Sequence, residues 1–272
     1  MTTTTTTEST SSSNLSPSAT PEVLVSLGDA MLYEGDMKLL RGTGWLNDHC
    51  VLFWQQYLET KLFPESKESS SLMLQPAAAF SMQFLDDEDL LADTPDNIFR
   101  QLSKANLVLV PIVDADAEEG GGSHWTLIAV HRGDGYYHFD SSLNAAGGEV
   151  LEAAKVTAAR LSSLFSDASI DPAEIKPVPC PQQNNGYDCG VFACAFAEKI
   201  MSAYLGHLKS TEADSSAKPS FKLQDVFPHL PSDMEIKREQ MWQVAEQLML
   251  ENQQHQHQHQ HQHQHQHQHD QQ

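Results

Sequence analysis

One cysteine of this chain lies where a nucleophile would be expected. Cys189 follows a turn signal at Asn185 and Gly186 and begins the apolar stretch CGVFACAF, which has helical density. The partial positive charge at a helix N-terminus and a neighbouring imidazolium both lower the pKa of a thiol, which makes a thiolate available near neutral pH. These features predict that Cys189 attacks an electrophile rather than filling a core.

A base and a residue to orient it flank a predicted hairpin. His124 begins the strand-like run SHWTLIAVH, the turn RGDG follows, and Asp140 ends the next run, YYHFD. Because neighbouring antiparallel strands run in opposite directions, these two side chains can lie together at one end of the hairpin. The sequence therefore predicts a catalytic triad in the chain order His124, Asp140, Cys189.

Acyl transfer to a thiol also needs hydrogen-bond donors for the oxyanion that develops on the substrate. The backbone N–H of Cys189 at the helix start can supply one donor. The side-chain amide of Gln183, six positions earlier, can fold back across the turn and supply another. Each such donor lowers the barrier by about 3 kcal/mol.

Alternating helical and strand patterns surround these residues. The segment 45–60, WLNDHCVLFWQQYLET, has apolar residues near helical spacing and Asn47 or Asp48 as a cap. Strands are predicted at 106–113, 123–131 and 136–140, and further helices at 148–165 and 233–250. This order predicts an α+β fold with a curved, mostly antiparallel central sheet flanked by helices.

The two ends of the chain differ in composition from the middle. Residues 1–21 are nearly all Thr, Ser, Pro and Asn, and residues 251–272 are largely an alternating Gln-His tract, so we expect both to be disordered. Residues 22–250 are expected to form one domain, with a flexible surface insertion at 209–220. The tract holds eight of the fourteen histidines and could bind a transition metal. Such repeats are commonly inert, so no metal or other cofactor is predicted for the catalytic site.

The chain is strongly acidic, with a net charge of -21 and a pI near 4.8. This charge disfavours non-specific binding to nucleic acid or to an anionic membrane, and it favours a basic partner. The four cysteines have neither the spacing of a disulfide framework nor that of zinc ligands. Together with the lack of a signal-peptide pattern, they indicate reduced thiols in the cytoplasm or nucleus, and we expect a monomer.

The remaining cysteines and two hairpin histidines have structural interpretations. Cys50 and Cys194 lie among apolar residues and are expected in the core. Cys180, between two prolines, is expected to be a bystander or a redox-sensitive thiol. His131 and His138 lie in the hairpin and are expected to be surface or cross-strand residues. None of the five is assigned to the catalytic set.

Three segments of the chain carry a family resemblance: GWLNDHCVLFW, GGSHWTLIAVHRGDGYYHFDS and PQQNNGYDCGVFACAF. They resemble the ubiquitin-like-protein-specific cysteine proteases, which act on SUMO and on the neddylation modifier. The glycine-rich loop in GGGSHWTLIAV and the short region before the first helix are most similar to the deneddylase branch. The resemblance spans nearly all of 22–250 and implies a papain-like cysteine protease fold with a permuted triad order.

The resemblance also assigns roles to single residues. The matched catalytic positions are a nucleophile, a general base that later acts as an acid, its orienter and an oxyanion donor: Cys189, His124, Asp140 and Gln183, in that order. The matched substrate contacts are two tryptophans that close over the Gly-Gly tail of the modifier and a polar residue near that tail: Trp45, Trp125 and Asp48.

The implied activity is that of a cysteine isopeptidase that removes the neddylation modifier from lysine side chains, as on cullins, and processes its precursor after Gly-Gly. Two alternatives stay open. One is the same chemistry on SUMO, since the choice of modifier depends on a broad interface rather than on a short motif. The other is a catalytically silent module that binds ubiquitin-like tails, which the intact triad disfavours.

Overall fold

The structure is a computed structural model of the 272-residue chain. It describes residues 21–68, 70–84, 89, 96–114, 122–142, 149–164, 174–213, 221–229 and 234–269. Residues 1–20, most of the glycine-rich loop before His124 and residues 214–220 of the expected insertion lie outside the described residues. The expectations for those segments therefore stay predictions.

Strands and helices alternate along the described chain. The strands are β1 (Val25–Leu27), β2 (Ala30–Leu32), β3 (Ser71–Met73), β4 (Leu107–Val113), β5 (Trp125–His131), β6 (Gly135–Phe139) and β7 (Lys176–Pro177). The helices are α1 (Glu34–Arg41), α2 (Asp48–Tyr57), α3 (Pro76–Phe84), α4 (Asp96–Lys104), α5 (Glu149–Leu164), α6 (Cys189–Ala213) and α7 (Met234–His269). The predicted α+β class is confirmed, and the three long predicted strands begin within two residues of β4, β5 and β6.

A five-stranded sheet in the order β3-β4-β5-β6-β7 forms the centre of the fold. Its long strands β4, β5 and β6 pair in antiparallel fashion, as predicted. The sheet as a whole is mixed, because both short edge strands, β3 and β7, pair in parallel. Parallel neighbours need a crossover connection. Helices α3 and α4 provide one between β3 and β4, and α5 provides the other between β6 and β7.

Both faces of the sheet are buried, which explains why its long strands have continuous apolar sequences. Side chains alternate between the faces. Val108, Val110 and Ile128 belong to the core that packs against α3 and α5. Leu109 and Leu127 belong to the opposite core, which packs against α6.

Helix α6 begins at Cys189, at the position predicted for a helix start. By length and composition alone its segment Cys189–Glu212 could cross a membrane, but 72% of the most apolar window is buried inside the protein. Phe196 contacts Phe139 of β6 with ring centroids 5.8 Å apart, and Ile200 is fully buried in the same core. This helix is therefore the central core helix of the domain.

The start of α2 is fixed by a side-chain cap. Asn47 Oδ1 accepts a hydrogen bond from the Cys50 backbone N–H at 3.0 Å, so Asn47 is the cap and Asp48 is the first helical residue. The Asn47 amide donates to Asp36 Oδ1 at 2.6 Å, and Asp36 Oδ2 accepts from the Tyr33 N–H at 2.9 Å. The buried Asp36 carboxylate thus links the starts of α1 and α2 and places the segment between them.

The C-terminal helix differs from the expectation for its tail. A helix was expected at 233–250 with disorder from 251 onward, whereas α7 continues to His269. Neither glycine nor proline follows Met234, and glutamine is a good helix former. Once a helix is nucleated by packing, each added residue gains a hydrogen bond at low cost. The Gln-His tract therefore extends a helix that the domain has already formed.

A methyl group at Gly190 should test how closely the start of α6 packs against Leu46 and Trp125. An added Cβ would lie 3.0 Å from Leu46 Cβ and 3.3 Å from Trp125 Cδ1, both closer than ordinary contact. We expect Gly190→Ala to lower the free energy of unfolding by about 1–3 kcal/mol, because an overpacked contact must shift neighbouring side chains. The measurement is urea denaturation followed by circular dichroism.

Gly206→Ala is the matched control on the same helix. Nothing lies within 4 Å of its added Cβ, so it should stabilise the protein by up to about 1 kcal/mol through helix propensity alone. Equal effects of the two variants would show that the start of α6 is not tightly packed.

Candidate active site

The end of the β5–β6 hairpin brings His124 and Asp140 together. His124 directly precedes β5 and Asp140 directly follows β6. Leu127 pairs with Phe139, so Asp140 lies opposite Thr126 and diagonal to His124 on the same face of the sheet. The His124 Nε2 and Asp140 Oδ1 atoms are 2.7 Å apart, and both side chains are buried.

The thiol of Cys189 completes this group. It lies at the first residue of α6, next to the His124 imidazole, whose charged form it favours. Because Nε2 faces Asp140, Nδ1 is the ring nitrogen left for the thiol. Cys189 Sγ is also 3.9 Å from the Ser123 carbonyl oxygen, the residue before the histidine. The three residues predicted as a triad therefore meet at one point, at the start of α6 and the end of the hairpin.

The electrostatics of the group favour a charged pair. Burial alone would lower the pKa of His124, but hydrogen bonds and charges from Asp140 and Cys189 override it and raise the pKa to about 10. Burial would likewise raise the pKa of Asp140, but the His124 hydrogen bond and the Ser142 N–H hold it below its usual value. The His124 imidazolium therefore persists across neutral pH beside the Asp140 carboxylate and the Cys189 side chain.

The other cysteines lack such a partner. Burial raises the pKa of the Cys50 thiol, and it raises that of Cys194 to about 12, so both remain neutral core residues as expected. Cys180 is half-buried and donates from its Sγ to the Asp140 carbonyl oxygen at 3.1 Å. Burial raises its pKa to about 11, which disfavours the thiolate.

The amide of Gln183 is held from both sides. Its Oε1 accepts from Ser141 Oγ at 2.9 Å, and its Nε2 donates to the Asn185 carbonyl oxygen at 2.7 Å. The backbone N–H of Gln183 also donates to the Ser141 carbonyl at 2.8 Å. An amide NH₂ has two donors, and the Asn185 contact uses one of them. Ser141, the residue after Asp140, thus orients the amide predicted to bind the oxyanion, a role that the sequence analysis did not assign.

The three predicted substrate contacts lie in different surroundings. Trp45 is 52% exposed, and its indole N–H donates to the carbonyl of Gly186 in the turn before the nucleophile. Trp125 is buried, and its indole N–H donates to the Leu46 carbonyl at 2.7 Å. Asp48 is exposed in the first turn of α2. Trp45 and Asp48 can therefore contact a ligand directly, whereas Trp125 is buried against Gly190, the residue after Cys189.

One buried ion pair beside the nucleophile was missed by the sequence analysis. Asp188, the residue before Cys189, accepts from Arg238 Nε at 2.8 Å, and both side chains are buried. The two residues are 50 positions apart, on different elements, and no local pattern marks either of them.

Among the described residues, no group of three or more His, Cys, Asp or Glu side chains is placed to hold a metal ion.

The pKa values of the two buried histidines of the hairpin should be shifted in opposite directions from the usual value of histidine. We expect the His124 ring to lose its proton near pH 10, whereas burial beside Thr126 lowers the pKa of His138 to about 4. Because the pKa of His124 is above its unfolded value of 6.5, its stabilising contribution is complete below pH 6.5 and is lost as the pH rises toward 10. Ring ¹⁵N–¹H spectra of the folded protein measure both midpoints.

Asp140→Asn supplies the matched variant for this titration. It removes the carboxylate charge while keeping the size of the side chain, so the His124 midpoint should fall and the raised stability below pH 10 should diminish. A His124 midpoint near 6.5 in the unmodified protein would contradict the geometry of the pair.

Comparison with known proteins gives a consistent family. Residues 44–219 match the Ulp1 protease family, C-terminal catalytic domain. The chain is 28% identical over 233 residues to NEDD8-specific protease 1 of Arabidopsis thaliana, covering 84% of this chain and 95% of the relative. It is 30% identical over 195 residues to NEDD8-specific protease 1 of Schizosaccharomyces pombe, covering 69% of this chain and 43% of that relative. This chain therefore spans less than half of the length of the fission yeast protein.

Solved structures show the same fold. The C-terminal Ulp1 protease domain, in complex with Smt3, the yeast ortholog of SUMO, superposes with a TM-score of 0.53 at 16% identity and covers 86% of this chain and 91% of that chain. The family match extends over more than half of the chain and includes His124, Asp140 and Cys189. The chain therefore belongs to the Ulp1 protease family.

Proposed function

We propose that the protein is a deneddylase: a cysteine isopeptidase that removes the neddylation modifier from lysine side chains, with cullins among its conjugates. It also processes the modifier's precursor after Gly-Gly. The observation that carries the proposal is the His124–Asp140 hydrogen bond with the Cys189 side chain beside the His124 ring. The choice of modifier is supported by the two relatives that are named NEDD8-specific proteases.

The reaction follows from the positions of these groups. The Cys189 thiolate attacks the carbonyl carbon of the terminal glycine, and the oxyanion is held by the Cys189 N–H and the Gln183 amide. The tetrahedral intermediate collapses, the bond to the lysine nitrogen breaks, and the His124 imidazolium gives its proton to the leaving amine. Water, deprotonated by His124, then attacks the thioester, and the modifier leaves with a free carboxylate while Cys189 returns to the thiolate.

The surroundings of the nucleophile suit a glycine tail. Trp45 offers an exposed aromatic face fixed to the turn before Cys189, and Trp125 packs against Gly190 directly after it. Glycine has no Cβ, so its backbone can approach an aromatic ring more closely than that of any other residue. The net charge of -21 favours a modifier or conjugate with basic residues near the site, and exposed Asp48 can contact them.

Electrophilic probes built on whole modifiers test this proposal. Probes that carry a warhead in place of the C-terminal glycine of the neddylation modifier, SUMO or ubiquitin are incubated with the purified protein. We expect a covalent adduct with the neddylation probe, none with Cys189→Ala, and an undiminished adduct with Cys194→Ala, which removes a buried core thiol. Intact mass spectrometry identifies the adduct and the modified cysteine.

Each outcome of the panel has a distinct meaning. Labelling by the SUMO probe alone would keep the mechanism and overturn the modifier. Absence of any adduct from folded protein would favour the silent tail-binding module. In that case Cys189→Ala and the unmodified protein would bind the modifiers equally and cleave none of them.

Two substitutions should separate oxyanion stabilisation from tail binding. Gln183→Ala should lower kcat roughly 100-fold with little change in KM, because the amide acts mainly on the charge that develops in the transition state. Trp45→Ala should raise KM about tenfold, since it removes an exposed aromatic contact present in the bound state. Steady-state cleavage of a modifier with a C-terminal fluorophore measures both constants. A change in KM alone for Gln183→Ala would contradict its assignment.

A further inference from the structure

Arg238 of α7 connects three separate segments of the chain with one buried cation. Its Nη1 donates to the Leu39 carbonyl oxygen at 2.7 Å, near the end of α1. Its Nη2 donates to the Gly44 carbonyl at 3.2 Å and to the Tyr187 carbonyl at 3.0 Å. Its Nε donates to the Asp188 carboxylate at 2.8 Å. A guanidinium presents five N–H donors in a fixed plane, and this one forms four hydrogen bonds to partners in all three segments.

The contacts to Tyr187 and Asp188 continue into the turn that precedes the nucleophile. Asp188 Oδ2 accepts from the Asn185 side-chain amide at 2.7 Å. Asn185 Oδ1 accepts from the backbone N–H groups of Tyr187 and Asp188, each at 3.0 Å. The carbonyl of Asn185 in turn accepts from the Gln183 amide at 2.7 Å. The bonds therefore run without interruption from Arg238 to the proposed oxyanion donor.

The contact to Gly44 extends the same connection to the substrate side. Gly44 directly precedes Trp45, whose indole N–H donates to Gly186 in the turn. Residues 43–47, the Trp45 segment, are thus connected to the turn twice, once by the Trp45 indole and once through Arg238. Both attachments end within three residues of Cys189.

We propose that Arg238 is a positioning residue that fixes the Trp45 segment and the turn 182–188 relative to Cys189, and so sets the rate of acyl transfer. It touches neither substrate nor reacting atoms and acts through Asp188, Asn185 and the carbonyls of Gly44 and Tyr187. The proposal deepens the function proposed above and rests on it for its kinetic test.

The neighbouring residue on α7 provides a matched comparison. Lys237 also carries a buried cation, which forms an ion pair with Glu198 of α6 and lies 4.3 Å from the centroid of the Trp54 ring. Among the described residues its side-chain hydrogen bonds go to Glu198 and Gln240, and not to the turn or to residues 43–47. Removing one partner of a buried ion pair destabilises a protein wherever the pair lies. If Arg238 only stabilised the fold, its substitution would therefore lower kcat no more than the loss of Lys237 does.

The experiment compares Arg238→Lys with Lys237→Met in three measurements: kcat and KM for modifier cleavage, alkylation of Cys189 by iodoacetamide, and amide hydrogen exchange. Lysine keeps the charge beside Asp188 but cannot reach Gly44, Leu39 and Tyr187 together. We expect Arg238→Lys to lower kcat about 10- to 100-fold, because small displacements of reacting groups cost that much. Alkylation should change less than about threefold, since it needs only the thiolate beside His124.

Hydrogen exchange tests positioning without any activity. In Arg238→Lys, exchange should rise in peptides that cover 43–47 and 182–188, and in Lys237→Met it should not. If Arg238→Lys does not fold, Asn185→Ala replaces it, because that variant removes the side-chain bonds to Tyr187 and Asp188 in the partly exposed turn while Arg238 still holds Gly44. It should lower kcat and raise exchange in 182–188 but not in 43–47.

Three results would overturn the proposal: an unchanged kcat in Arg238→Lys, a fall equal to that of Lys237→Met, or a matching loss of alkylation. If the unmodified protein cleaves none of the modifiers, the proposed function fails and the exchange data alone decide. Faster exchange in both segments, confined to Arg238→Lys, would still support Arg238 as the positioning residue, and equal exchange in the two variants would refute it.

Discussion

The antiparallel register between β5 and β6 is the constraint on which the site depends. Side chains alternate between the faces of a strand, so a slip of one residue would carry His124 to the side opposite Asp140. The same slip would exchange Leu127 and Ile128 between two different cores, because the sheet is packed on both faces. Packing in the two cores therefore fixes the register that allows the hydrogen bond between His124 and Asp140.

Burial lowers the pKa of both buried histidines of the hairpin, and the partner of each decides the net shift. His124 is buried beside a carboxylate and a thiol, and its pKa rises, whereas His138 is buried beside the hydroxyl of Thr126, and its pKa falls. The buried cysteines also differ in their partners. Cys194 and Cys189 lie on the same helix and are both buried, but only Cys189 has an imidazolium beside it. Reactivity is thus set by the partner and not by exposure.

How much of the structure could be predicted from sequence depended on whether the information was local. The apolar runs of β4 and β5 and the turn before Cys189 carry their own signals, so the hairpin, the start of α6 and the meeting of the triad could be predicted. Strands β3 and β7 have three and two residues, too few for a pattern, so the mixed character of the sheet could not. The bonds from Ser141 to Gln183 and from Arg238 to Asp188 join residues 42 and 50 positions apart, and only the folded chain brings them together.

The location of Arg238 near the start of the last helix has a consequence for biosynthesis. A chain is made from its N-terminus, so the three triad residues are synthesised well before Arg238. Until the first turns of α7 have left the ribosome and docked, Asp188 has no counter-ion and the Gly44 and Tyr187 carbonyls lack their shared donor. A nascent or prematurely terminated chain that ends before Arg238 thus contains His124, Asp140 and Cys189. It lacks the guanidinium that joins Gly44 to Tyr187 and Asp188.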